Sequence, residues 1–333
     1  MRAWPTALSL GLGLIPVAMF VAMVGMLVSK ALPALSEPGL GELFSSSFSS
    51  QYSTGVAVYG LLPAMFGTVL ITLIAIGIAL PVSLAMAVLS SEFPLGGVGR
   101  AMRVVLGALS GIPAIVYALL AVVFVNQFMI PKFAGGFTFD HFDPTAVGAT
   151  AETWPPSDVP WNAGAFPWDP TGLNNSTLLA GVLIALLIIP FMAPLIDDAF
   201  RNVPAAAKEA SLALGANRWH TLRHVTLPMA LAGIVPAVAL GTLKGMGDTM
   251  IVIFVVGWEA QAIPDPPFDV LERTAPLPAA GANLLGSFQA QDACKEAACS
   301  SGYFSAVFLL ILALVVVVVA GVLQARLRRR LTQ

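Results

Sequence analysis

Six long apolar runs constrain this chain more than any other feature. They are roughly Ala7 to Val28, Ala64 to Leu89, Ala101 to Ile130, Leu178 to Ile196, Met229 to Gly257 and Tyr303 to Leu323. A helix rises about 1.5 Å per residue, so about 20 apolar residues cross about 30 Å of hydrocarbon. Each run is long enough. The chain is 57% hydrophobic and 10% charged, against about a quarter charged in an ordinary soluble domain. Lipid is therefore the expected solvent, and the predicted class is an all-α membrane protein. The first run is rather long for a signal peptide and no clean small-residue cleavage site follows it. It is read as a retained span.

Charge placement predicts orientation through the positive-inside rule. With the N-terminus in the cytoplasm, the cytoplasmic segments hold Arg2, Arg100, Arg103, Arg201, Lys208, Arg218, Arg223, Arg326, Arg328, Arg329 and Arg330, 11 of the 16 Lys and Arg. The external segments hold 4, namely Lys30, Lys132, Arg273 and Lys295, and Lys244 lies inside a span. Six spans with both termini cytoplasmic follow. The predicted organisation is 1–63 for the first span and an external segment, 64–325 for the transmembrane domain, and 326–333 for a basic tail. Within the domain, 131–176 and 258–302 are external loops and 197–228 is a cytoplasmic loop.

The outer segments suggest caps more than sites. Residues 131–176 are acidic and rich in Pro, Trp and Gly, without helix or strand periodicity. Ser45 to Ser53 reads as a polar loop. Cys294 and Cys299 both fall in the last external segment, where a disulfide can persist; a disulfide and two free thiols are the two readings. Two thiols are half a zinc site, and no metal is expected. His220 and His224 are four apart and read as a polar surface. The tail Arg326 to Arg330 reads as a topology anchor that attracts anionic membrane lipid, not as a nucleic-acid site.

The polar gap between the fourth and fifth runs carries a pattern of its own. Glu209-Ala-Ser-Leu-Ala-Leu-Gly215 leads on to Leu227-Pro228. Lys208 to Leu214 are mostly good helix formers, Gly215 can supply the positive φ that ends a helix, and Pro228 can open the next one. Helix, tight turn, helix and re-entry into the bilayer is the expected order. A knob of this kind fits a groove on a soluble partner.

Two further motifs lie inside runs. Gly111-Ile112-Pro113 interrupts the third and predicts a kink, tolerated where neighbours re-satisfy the backbone. In the fifth, Lys244 and Asp248 are four apart, hence on one face of a continuous helix. Ionisable groups at membrane depth are costly and face a bundle interior or a wet path. A packing ion pair and a polar lining or gate, with Thr249 beside it, are the two readings. Gly241, Gly245 and Gly247 would let another helix approach closely.

These motifs resemble the permeases of ABC importers. Glu209-Ala210, Gly215 and Leu227-Pro228 match the "EAA" loop of that family, with Ser211 where Ala is frequent. Gly111 to Tyr117 resembles the G-I-P-S-V-V-Y-G segment of phosphate-type permeases, and Lys244 to Met250 resembles their R-A-x-G-E-T-M. With Ile189-Pro190, Asp197-Asp198-Ala199 and Val203-Pro204, the resemblance covers most of residues 60 to 325. It is closer to the C-type than to the A-type permease of the phosphate (Pst) importer. Lys244 replaces the family's Arg and Asp248 its Glu, so a planar bidentate donor becomes a point charge.

The resemblance implies a six-helix type I importer permease translocating inorganic phosphate. Glu209, Ala210, Gly215, Arg218 and Pro228 would engage the ATPase, and Lys244, Asp248 and Thr249 would line or gate the path. The implied partners are a second related permease, two copies of a cytosolic ATPase that binds ATP and Mg, and an extracytoplasmic phosphate-binding protein. The chain carries no G-x-x-x-x-G-K-[ST] loop and no hydrolase constellation, so it is expected to be a non-catalytic subunit without a cofactor. Another oxyanion (sulfate, molybdate or a phosphonate) keeps the same architecture. A secondary transporter without an ATPase, or a scaffold or sensor, would leave the knob pattern unexplained.

Overall fold

The computed structural model describes residues 3–36, 38–46, 48–49, 58–93, 97–124, 176–257, 263, 270, 274–286 and 296–331. Nearly all of residues 131–176, Ser50 to Ser53 and Cys294 lie outside the described residues. Among the described residues, the protein is all-α apart from one antiparallel pair of two-residue strands, β1 (Phe48–Ser49) and β2 (Val58–Tyr59). The helices are α1 (Ala3–Ala31), α2 (Leu40–Leu43), α3 (Leu62–Glu92), α4 (Gly97–Ser110), α5 (Ala114–Phe124), α6 (Thr177–Arg201), α7 (Ala205–Ala213), α8 (Arg218–Thr221), α9 (Leu227–Met246), α10 (Met250–Val255), α11 (Leu277–Gly286) and α12 (Glu296–Leu331).

Among the described residues, five helical stretches are long and apolar enough to cross a membrane: 13–35, 62–92, 177–201, 218–246 and 299–329. The expected third span, Ala101 to Ile130, is built as two helices, α4 and α5, with 125–130 outside the described residues. Pro113 has no N–H to donate and disfavours helical backbone at Ile112, so the expected kink is a full break. The carbonyl exposed by the break is satisfied locally. Leu109 O accepts from Ile112 N at 3.1 Å and from Tyr117 Oη at 2.9 Å.

The core is built around α6, which starts on a Ser176 cap whose Oγ accepts from Leu179 N at 3.1 Å. Ile184, Ile188, Met192, Ile196 and Phe200 on α6 are fully buried. α3 packs along α6 on one side and α9 on another. Small residues permit both contacts. A Cβ at Gly181 would lie 2.5 Å from Ile74 Cγ2 on α3. On α9, Gly233, Ala237, Gly241 and Gly245 repeat every fourth residue. A Cβ at Gly233, Gly241 or Gly245 would meet Ala199, Met192 or Ile188 of α6 at 2.7, 3.0 or 2.7 Å. In lipid, such close approach supplies the dispersion contacts that hold helices together. Gly247 is exposed and takes no part in this contact.

α1 and α12 pack on each other, and most of their apolar surface faces outward. This is the expected lipid face of a membrane bundle. Within 258–302, the described part is not all surface. Thr274, Ala275, Leu277, Ala279 and Ala280 are buried. Thr274 Oγ1 lies 2.6 Å from Thr177 Oγ1, and Thr68 Oγ1 accepts from Leu277 N at 2.9 Å. A Cβ at Gly67 would stand 3.0 Å from Thr274 O, so glycine lets this backbone lie close to α3 without displacement. Cys299, at the start of α12, is disulfide-bonded.

Candidate functional site

Besides the break at Gly111 to Pro113, two places among the described residues depart from simple helices, and both fall on motifs singled out above. The first is the polar knob between α6 and α9. α7 ends at Ala213, and Gly215 follows with φ +86°, in the left-handed region that glycine enters without strain. Ala216 N donates to Ser211 O at 3.2 Å and Gly215 N to Leu212 O at 3.0 Å, so the end of the helix is closed. Asn217 then caps α8, its Oδ1 accepting from His220 N at 2.7 Å. Ser211 Oγ and Thr221 Oγ1, 3.0 Å apart, join the two short helices.

The outer surface of the knob is unusual for a polar loop. Leu214 is 90% exposed and Trp219 is 62% exposed, with Leu212 beside them. Glu209, Ala210, Gly215 and Arg218 are all exposed on the same knob, and Pro228 sits half-buried in the first turn of α9. All five expected coupling residues therefore belong to one local structure. His220 and His224 stack with ring centres 4.2 Å apart, and His224 Nδ1 lies 3.1 Å from His220 O. Between α8 and α9, Leu222–Thr226 is wound as a π-turn, with Leu227 N donating to Leu222 O. This wide turn sits directly before Pro228, whose ring would crowd the carbonyl of a regular preceding turn.

The second place is the break after α9. Lys244 lies in the last turn of α9, but the helix ends at Met246. Asp248 is therefore not on a shared helix face with it, which corrects the expectation of one continuous fifth span. The cause is local. Gly245 and Gly247 are poor helix formers, and Asp248 Oδ1 instead accepts from Ile251 N at 2.9 Å, capping α10. Nor do Lys244 and Asp248 form an ion pair. Lys244 Nζ stands 4.6 Å from the centre of the Phe191 ring on α6, a cation–π contact. Lys244, Asp248 and Thr249 are all half-buried.

The segments following the two breaks, α5 and α10, pack on each other. The motif Gly111 to Pro113 and the motif Lys244 to Thr249 thus each lead into one of two helices that pack together. Sequence reasoning missed three participants: Phe191, Lys208 and Glu92. Lys208 Nζ lies 2.5 Å from Glu92 Oε1 and 3.2 Å from Phe200 O.

The comparisons with known proteins agree with this architecture. The family model described as "Binding-protein-dependent transport system inner membrane component" matches residues 79–333. The chain is 34% identical over 208 residues to the phosphate transport system permease protein PstC 1 of Mycobacterium tuberculosis, covering 62% of this chain and 56% of that one. It thus spans a little over half the length of that relative. It is 27% identical over 283 residues to the phosphate transport system permease protein PstC of Xylella fastidiosa, covering 85% of this chain and 79% of that one. Its fold is that of a chain in a bacterial ABC transporter involved in import of the acidic polysaccharide alginate, with TM-score 0.61 and 14% identity over 98% of this chain and 99% of that one. With knob, interrupted helices and family model in agreement, the chain belongs to the family of binding-protein-dependent transport system inner membrane components, multi-pass proteins of the inner membrane.

Proposed function

We propose that this chain is a permease subunit of an ATP-driven importer of inorganic phosphate. The knob carries the reading. It is closed by Gly215, held together by Ser211 and Thr221, and it presents Leu212, Leu214 and Trp219 to a partner. An apolar tip of this kind on a polar loop is suited to docking in a groove. The chain has no nucleotide-binding loop of its own, so the groove belongs to a separate ATPase, present in two copies, that binds ATP and Mg. The relatives named as phosphate transport system permeases support phosphate as the substrate. By the same likeness, a second related permease completes the pathway and an extracytoplasmic binding protein delivers the anion.

In this mechanism ATP closes the ATPases and displaces the knob. The displacement reaches α6 through residues 202–204 and α9 through the π-turn. The bundle alternates between outward- and inward-facing states, and the anion is released inward on reset. Lys244 is the residue assigned to the anion. Its ammonium makes no ion pair with Asp248 and stands over the Phe191 ring. An ammonium there attracts an oxyanion without the fixed fork of a guanidinium. Asp248 fixes the break by capping α10.

The test is uptake of labelled phosphate in cells lacking and regaining the gene. Gene-dependent uptake suppressed by phosphate supports the reading. Suppression by sulfate or molybdate instead keeps the architecture and changes the substrate.

A further inference from the structure

The knob is attached to the bundle unequally on its two sides. On the α9 side, the connection runs through Leu222–Thr226, where the turn contains an extra residue and the buried Thr226 Oγ1 has no hydrogen-bond partner among the described residues. A π-turn of this kind interrupts the regular helical ladder and is frequent at functional sites. On the other side the connection is short and reinforced. Val203 is buried between α6 and α7, and Lys208 of α7 reaches back to the bundle. Its ammonium meets the Glu92 carboxylate at 2.5 Å and the Phe200 carbonyl at 3.2 Å.

Those two acceptors lie at the ends of two different helices. Glu92 is the last residue of α3, and Phe200 is in the last turn of α6. Cations are favoured beside the unsatisfied carbonyls of a helix C-terminus, so Lys208 suits both ends. The Lys208 and Glu92 side chains are 22% and 15% exposed. This is not the fully solvated pair that contributes little. The chain itself links α7 to α6, but α3 is 116 residues away from Lys208 in sequence. This ion pair fastens the knob to α3 directly.

We infer that Lys208 is a positioning residue that joins α7 to the inner ends of α3 and α6, so that these three move as one unit while α9 moves through its π-turn. The inference rests on the proposed role of the knob as the receiver of ATPase motion. It adds which helices receive that motion rigidly and which group transmits it. In chemical terms, one ammonium replaces a covalent connection to α3. Removing it leaves the knob folded, because Gly215, Asn217 and the Ser211–Thr221 pair are untouched.

The test uses the chain in complex with its ATPase. Spin labels at Leu89→Cys on α3 and Ala213→Cys on α7 report the distance between the two elements, and the native Cys299 is disulfide-bonded and does not take the label. The inference predicts one narrow distance that is the same with and without a non-hydrolysable ATP analogue. Lys208→Met broadens or shifts that distance, and Lys208→Arg, which keeps a cationic donor, restores it. Glu92→Met, of similar length and without an acceptor for the ammonium, should reproduce the effect of Lys208→Met and guards against a folding defect peculiar to one variant. Phosphate uptake should fall about tenfold in Lys208→Met and Glu92→Met, equivalent to about 1.4 kcal/mol. A distance unchanged by both variants, or one that shifts with nucleotide in the unmodified complex, overturns the inference. Absence of phosphate uptake in the unmodified protein would defeat the substrate assignment alone, because the distance does not depend on which solute is carried.

Discussion

Lys244 Nζ stands 4.6 Å from the centre of the Phe191 ring, joining the last turn of α9 to the middle of α6 by a cation–π contact. Lys244 makes no ion pair with Asp248, four residues on, whose carboxylate instead accepts from Ile251 N. A charge at membrane depth needs a partner or a wet path, and an aromatic face supplies attraction without neutralising the charge. Lys244→Gln should therefore lower phosphate uptake at least tenfold while the protein still inserts and assembles. Uptake together with co-purification of the ATPase checks both halves. Unchanged uptake would assign Lys244 to packing.

Phe191 offers a separate handle on that ammonium. Phe191→Leu keeps an apolar side chain of similar reach and removes the ring quadrupole. A cation–π contact contributes about 0.5–1 kcal/mol when exposed and about 2 kcal/mol or more when desolvated. The expected result is a several-fold change in apparent affinity for phosphate with little change in stability. Concentration-dependent uptake and thermal melting of the purified protein measure the two effects.

Asp248 is a helix cap, which gives it a different signature. Asp248→Ala removes the acceptor for Ile251 N and should cost about 1 kcal/mol of local stability. Asp248→Asn keeps an acceptor and should retain that stability. Hydrogen exchange at Ile251 and its neighbours distinguishes them, with faster exchange expected in the alanine variant alone.

Gly215 has φ +86°, and a Cβ added there would meet nothing within 4 Å, so a side chain is strained by its backbone and not by a clash. Gly215→Val should cost roughly 1–3 kcal/mol locally and loosen the turn between α7 and α8. Membrane insertion should persist, with loss of ATPase co-purification and of uptake. Gly215→Asn, which tolerates the left-handed region better, should be milder in both assays.

The helix contacts make a contrasting prediction about assembly. Gly181→Val would drive a Cβ to 2.5 Å from Ile74 Cγ2, and overpacking of this kind costs about 1–3 kcal/mol. The variant should melt at lower temperature, with the loss relieved by Ile74→Ala. A double-mutant comparison of melting temperatures tests the pairing directly.

Much of this arrangement is legible in the amino-acid sequence, for identifiable reasons. Long apolar runs announce lipid because few other environments tolerate them, and the Glu209 to Pro228 pattern announces the knob because Gly215 has the freedom that a left-handed turn requires. The interruption after Lys244 is harder to see. Four-residue spacing suggests a shared helix face, but it carries no information on whether Gly245 and Gly247 let the helix continue. Asp248 looks the same in sequence whether it pairs with a cation or caps a helix. Lys208 and Glu92 escape notice because 116 residues separate them. Their one visible signal is opposite charge at the edges of two apolar runs. The buried approach of Thr274 to Gly67 leaves no sequence signal beyond a glycine among small residues.

The most direct test of the central claim is labelled phosphate uptake in cells lacking this gene, with and without its restoration, in the presence of phosphate, sulfate or molybdate as competitor. Uptake should return with the gene, require ATP, and be suppressed by excess phosphate but not by the other two anions. Gene-dependent uptake that persists without ATP, or no gene-dependent phosphate uptake at all, would contradict that claim.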